Sequence, residues 1–187
     1  MGMRVAGEKG KTMKFLWAPW RMGYILEKGE KGRKGCFLCL KPLEKKDREN
    51  LILYRGAKGF VMMNRFPYIN GHLMVIPNRH CVDIGELDER EAQGLFDLLR
   101  MTTRVLKETL HPQGFNIGIN IGKAGGAGEE HLHIHIVPRW TGDTNFMPIL
   151  GQTKVVPQYL DETYQTLCAG FSGLLKSRPL RKGGKRP

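Results

Sequence analysis

Apolar positions along this chain follow two rhythms. Three short apolar runs, LILYR (51–55), GFVMMN (59–64) and HLMVIP (72–77), are separated by Gly and Pro clusters and predict β-strands. From Leu87 to Leu110 the rhythm changes. Ala92, Leu95, Phe96, Leu99, Val105 and Leu106 approximate an i, i+3/i+4 face, which predicts a long helix interrupted in composition only by Gly94. Pro112 cannot continue that helix. FNIGINIG (115–122) and HLHIHIVP (131–138) then alternate with period two, and the glycine-rich GKAGGAGEE between them predicts an antiparallel hairpin. A shorter helix is expected over 158–175. The order β-β-β, helix, β-β, helix predicts an α+β domain with a mostly antiparallel sheet.

At 187 residues the chain suits one domain with a real core. It is expected to run from 13 to 175, behind a disordered basic N-terminus (1–12) and ahead of a basic tail (176–187). The first apolar segment is FLWAPWRMGYIL (15–26), followed by the charged connector EKGEKGRKG. No apolar run approaches the roughly 20 residues that span a bilayer, and no signal-peptide pattern follows the basic start. The expectation is a cytoplasmic protein without membrane contact.

The net charge of +12 suggests nucleic acid until it is located. Residues 1–34 hold nine Lys/Arg against three acids, and residues 176–187 hold six against none, so the body between them is neutral. Such basic arms can hold a polyanion by weak, salt-sensitive contacts. Solubility explains them more simply.

The chemistry concentrates at HLHIHI. On a strand His131, His133 and His135 share one face, with neighbours about 7 Å apart, while Leu132, Ile134 and Ile136 fill the other. Three unpartnered imidazoles are costly to bury, so a purely structural stripe is disfavoured. Two readings compete. One is a three-histidine zinc site, against which 7 Å is long for ligands bonded at about 2 Å. The other is a phosphate site, with one imidazole attacking phosphorus and others binding oxygens or the leaving group. Glycines 122, 125, 126 and 128 ahead of the histidines let the backbone approach an anion closely. Separately, Cys36-x-x-Cys39 reads as half a metal site or as a redox pair.

HLHIHIVP, preceded by NIGINIGKAGGAGEE and accompanied by MNRFPYINGHLMVIPNRH, resembles the signature of the histidine-triad nucleotide hydrolases and transferases. The likeness runs from about Cys36 to Trp140. LWAPWR and PRWTGDTNF further resemble the bacterial branch of diadenosine tetraphosphate phosphorylases, or ATP adenylyltransferases. The resemblance implies a HIT-like fold, a nucleotide substrate and a homodimer. It makes His133 the nucleophile that forms a nucleotidyl-histidine, with phosphate or water as the acceptor, and makes His135 the group assisting at the phosphate or leaving group. Asn120 with Gly122, Gly126 and Gly128 would contact the phosphates, Asn64 the ribose, and Trp140 a base or leaving group, while His72 would support the triad. The chain departs from some relatives at Gly128, where they carry Ser or Thr. The resemblance also implies a structural Zn2+ held by Cys36, Cys39, His80 and His131, and no organic cofactor. Alternatives are a phosphoramidase of the shorter histidine-triad type, or a nucleotide- or RNA-binding protein with negligible turnover.

Overall fold

This computed structural model describes residues 35–143 and 160–177. The apolar segment 15–26, the arm 1–12 and the tail beyond 177 lie outside those residues, as does the end of PRWTGDTNF. Five strands form one sheet: β1 (Ile52–Arg55), β2 (Gly59–Met63), β3 (Leu73–Pro77), β4 (Gly114–Ile119) and β5 (Ile134–Arg139). Their order is β1-β2-β3-β5-β4, and every neighbouring pair is antiparallel. Among the described residues three α-helices accompany them: α1 (Phe37–Leu40), α2 (Glu89–Leu110) and α3 (Leu160–Ser177). The α+β architecture is the one the periodicity predicts. No helix of the described residues is long and apolar enough to cross a membrane.

Helix α2 begins at a capping box. The Asp88 carboxylate accepts the Glu91 N–H, and the Glu91 carboxylate accepts the Asp88 N–H, so two end donors are satisfied reciprocally. It ends where His111 turns left-handed (φ 48°) ahead of Pro112. Gly94 has a packing reason, since a Cβ there would stand 2.6 Å from Cβ of Lys58.

Both faces of the sheet centre are buried, which is why β2 and β3 read as continuous apolar runs rather than as alternation. On one face Leu53, Val61, Met63, Leu73, Val75 and Ile136 pack against Leu95, Leu98, Val105 and Leu106 of α2 and against Leu167 and Phe171 of α3. Ile52, Phe60, Met62, Met74 and Ile76 make a second cluster on the opposite face, with Leu38 of α1. Each fully buried side chain of this size contributes about 1.5–3 kcal/mol of transfer free energy.

One expectation needs correction. The strand carrying the histidines starts at Ile134, three residues later than the alternation predicts. Its pairing with β3 begins at Val75↔Ile134, and its pairing with β4 at Ile119↔Ile134. Upstream, the Leu132 N–H donates to the Cys81 carbonyl at 2.7 Å, in the loop after β3, rather than to a strand. Only His135 of the three histidines is therefore a strand residue. It pairs with Met74 and so lies on the face away from α2 and α3, while Ile136 pairs with Leu73 and faces the helices.

Candidate active site and metal centre

The three histidines do not stand in a row; each is committed to a different partner. His131 is 1% exposed. Its Nδ1 lies 3.4 Å from both Cys36 Sγ and Cys39 Sγ, and its Nε2–H donates to the Pro77 carbonyl at 3.1 Å. His133, also buried, donates from Nδ1 to the carbonyl of His131 at 2.7 Å. A ring proton on Nδ1 leaves the lone pair on Nε2. His135 Nδ1 lies 3.0 Å from Nε2 of His72. The rings of His133 and His135 meet edge to face with centroids 4.6 Å apart.

The direction of the His72–His135 bond follows from a neighbour. The Tyr68 backbone N–H points at His72 Nδ1 from 3.2 Å, and an amide can only donate. His72 Nδ1 is thus the acceptor and its Nε2 carries the proton, donated to His135 Nδ1. His135 in turn bears its own proton on Nε2, so one imidazole offers a lone pair and its neighbour offers an N–H. The Tyr68 ring stacks on His72 at 4.9 Å and 17°. His72 is 1% exposed.

Four donors converge beside this pair. Cys36 precedes α1 as its N-cap, Cys39 lies within α1, His80 follows β3, and His131 precedes β5. Their ligand atoms all lie within 4.8 Å of one another. Cys39 Sγ stands 3.4 Å from Nδ1 of His80 as well as from Nδ1 of His131. Tetrahedral bonds of about 2.3 Å to sulfur and about 2.0 Å to nitrogen put mixed ligand atoms roughly 3.5 Å apart, so this set fits a zinc-sized ion. Burial, then the neighbouring Cys36 thiol, pushes Cys39 up to about 11, which a cation would reverse. Burial holds His131 below the ordinary histidine value, against the pull of the Pro77 carbonyl. The three-histidine metal reading finds no support among the described residues, because the cluster takes only His131 from the triad.

The remaining expected residues are placed less uniformly. Asn120 follows β4, and its side-chain N–H reaches the Gly126 carbonyl at 3.4 Å, closing the glycine turn on itself. Gly122 (φ 69°) and Gly126 (φ 82°) occupy the left-handed region that favours glycine. Gly128 is half-buried. Asn64 ends β2, where its side-chain oxygen accepts the Phe66 N–H at 2.9 Å, a turn role. Trp140 follows β5, five residues beyond His135, and its backbone N–H donates to the Asp143 carboxylate at 3.1 Å.

Sequence reasoning missed three features. Tyr68 fixes the His72 tautomer through its backbone N–H, a contact that leaves no side-chain signal, and its ring stacks on the same imidazole. The Cys81–Leu132 bond likewise joins two main chains. The ion pair between Arg79 and Glu91 left half a signal, the D-x-x-E capping box at the head of α2.

Comparison with known proteins then shows the following. The HIT domain signature matches residues 45–142. A Mycobacterium tuberculosis protein named AP-4-A phosphorylase is 38% identical over 177 residues, covering 90% of this chain and 89% of that protein. A Schizosaccharomyces pombe protein named bis(5'-nucleosyl)-tetraphosphatase (asymmetrical) is 32% identical over 92 residues, 49% of this chain and 50% of that one. Among solved structures, a Zn-bound histidine triad family protein from Mycobacterium smegmatis superposes with a TM-score of 0.64 at 26% identity, covering 77% of this chain and 98% of that one.

Proposed function

The chain belongs to the HIT domain family, and on that footing we propose that it cleaves dinucleoside polyphosphates of the diadenosine tetraphosphate type by nucleotidyl transfer through His133. The observation that carries this reading is the 2.7 Å bond from His133 Nδ1–H to the His131 carbonyl, which fixes the tautomer and leaves Nε2 as the nucleophile. Nε2 attacks the α-phosphorus; the P–N bond forms as the P–O bond to the distal polyphosphate breaks. His135, held by His72 with its own proton on Nε2, donates to the phosphate oxygens or to the departing one. The acceptor then displaces the histidine: inorganic phosphate releases a nucleoside diphosphate, and water a monophosphate. Dividing one displacement into two is covalent catalysis.

The turn holding Gly122, Gly126 and Gly128, tied by Asn120, lets the backbone approach the polyphosphate closely. Asn64 serves the ribose, and Trp140 serves a base or leaving group. Cys36, Cys39, His80 and His131 would hold a zinc ion. With four protein ligands its part would be structural. Phosphorolysis is the favoured outcome, given the 38% identity to the phosphorylase. A homodimer is expected, and the edge strand β4, with Ile117 46% exposed, is a candidate surface for it.

The test is product analysis with diadenosine tetraphosphate, with and without inorganic phosphate, beside His133→Ala. ADP and ATP formed only with phosphate make it a phosphorylase; AMP and ATP regardless of phosphate make it a hydrolase. No product from the wild-type chain overturns the reading for this substrate.

A further inference from the structure

His80 is the exposed member of the four-donor cluster, and it sits on the loop that follows β3 rather than inside an element. A ligand on a loop needs its backbone fixed. Here the fixing is done from both sides. Ahead of it, Asn78 donates from its backbone to the Lys58 carbonyl and from its side chain to the carbonyls of Gly56 and Ala57. Behind it, the Cys81 carbonyl accepts the Leu132 N–H, which joins the loop to the neighbour of His131.

The strongest anchor is the residue adjoining His80. Arg79 forms a two-pronged pair with Glu91, Nε to Oε1 at 2.9 Å and one terminal nitrogen to Oε2 at 2.7 Å, and that same nitrogen also donates to the Glu86 carbonyl at 2.6 Å. The Glu91 side chain is only 11% exposed. Its carboxylate also receives the Asp88 N–H as half of the α2 capping box. A planar guanidinium held in this way cannot swing without breaking bonds at a buried carboxylate. The first turn of α2 is thereby bolted to the residue beside His80.

We propose that Glu91, acting through Arg79, is a positioning residue of the metal centre: it holds His80 at the cysteines and sets the affinity for the ion. This rests on the metal reading of the cluster given above. Neither residue offers an atom to the ion, so their effect passes through the backbone of the loop.

The test is a cobalt(II) titration of the full chain, prepared metal-free and followed by thiolate-to-cobalt absorption. It compares wild type with Glu91→Gln, Arg79→Lys and Asp88→Ala. Asp88→Ala removes the other half of the cap, so it weakens α2 while leaving Arg79 and Glu91 together, and the thermal midpoint of each variant is read in parallel. Glu91→Gln and Arg79→Lys are expected to weaken cobalt binding about 10- to 100-fold, with Asp88→Ala within about twofold of wild type. Arg79→Lys keeps the charge and loses the fork, and it decides the matter if Glu91→Gln does not fold. Wild-type affinity in both clamp variants, or an equal loss in Asp88→Ala, overturns the proposal while leaving the metal centre standing. Absence of a cobalt band in the wild type overturns the metal centre itself and the proposal with it.

Discussion

His72 Nε2 lies 3.0 Å from Nδ1 of His135, and the amide of Tyr68 decides which of the two rings carries the shared proton. His72 therefore acts on the third histidine of the triad, His135, as the His131 carbonyl acts on His133: each fixes one ring's tautomer and aim. His72→Leu keeps the apolar bulk and removes the donor. The expected result is a loss of about 100-fold in kcat for diadenosine tetraphosphate cleavage, with KM little changed and an unaltered far-UV spectrum. A variant with wild-type kcat would show that His135 needs no partner to hold its proton outward.

The cluster of two cysteines and two histidines ties three separate parts of the chain together: α1 with its N-cap, the loop after β3 and the approach to β5. Binding energy at such a site is folding energy. A strong chelator is expected to lower the thermal midpoint of the wild-type chain by about 5 °C or more. Cys39→Ser should start from the lower midpoint and respond no further, as read by differential scanning fluorimetry. An identical chelator response in both proteins would place the metal's effect elsewhere.

Acid should loosen the anchor of α2 within a definite window. The Arg79 guanidinium, and after it the Asp88 N–H, holds the Glu91 carboxyl down at about 2 against an ordinary 4.5. A carboxyl whose value is lower in the folded state stabilises that state at pH above its unfolded value. The contribution is thus complete above about 4.5 and is lost as pH falls towards about 2. Denaturant midpoints of wild type and Glu91→Gln should differ at neutral pH and converge across that interval. A gap that persists undiminished at pH 2 would assign the effect to packing rather than to charge.

Much of this architecture was legible in the order of residues. The runs at 59–64 and 72–77 are strands whose side chains are buried on both faces, and α2 announces itself by its apolar face. The histidine segment misleads for a specific reason. Its alternation is real, with Leu132 and Ile136 buried against the core, yet a tertiary hydrogen bond to Cys81 withdraws His131 and His133 from the ladder. Period two reports which side a residue faces, not which backbone its amide finds. The pairing of Cys36 and Cys39 with His80 and His131 came from resemblance, since 95 residues separate the first and last of these. What Tyr68 does left no trace, because any residue but proline supplies the same amide.

The adjacency of β3 and β5 has a consequence for how the protein is made. Leu73 pairs with Ile136, so the whole of α2 and the β4 strand must be synthesised before these two can meet. Closing so long a loop is slow compared with forming a helix or a hairpin. On a ribosome, β1, β2 and β3 can pair first, leaving the edge of β3 open to solvent or to a neighbouring chain until residue 136 has emerged. His133 lies immediately ahead of the strand that covers that edge. A chain stalled or cut before Ile134 lacks His135 together with that cover, so completion of the histidine triad coincides with loss of the aggregation risk.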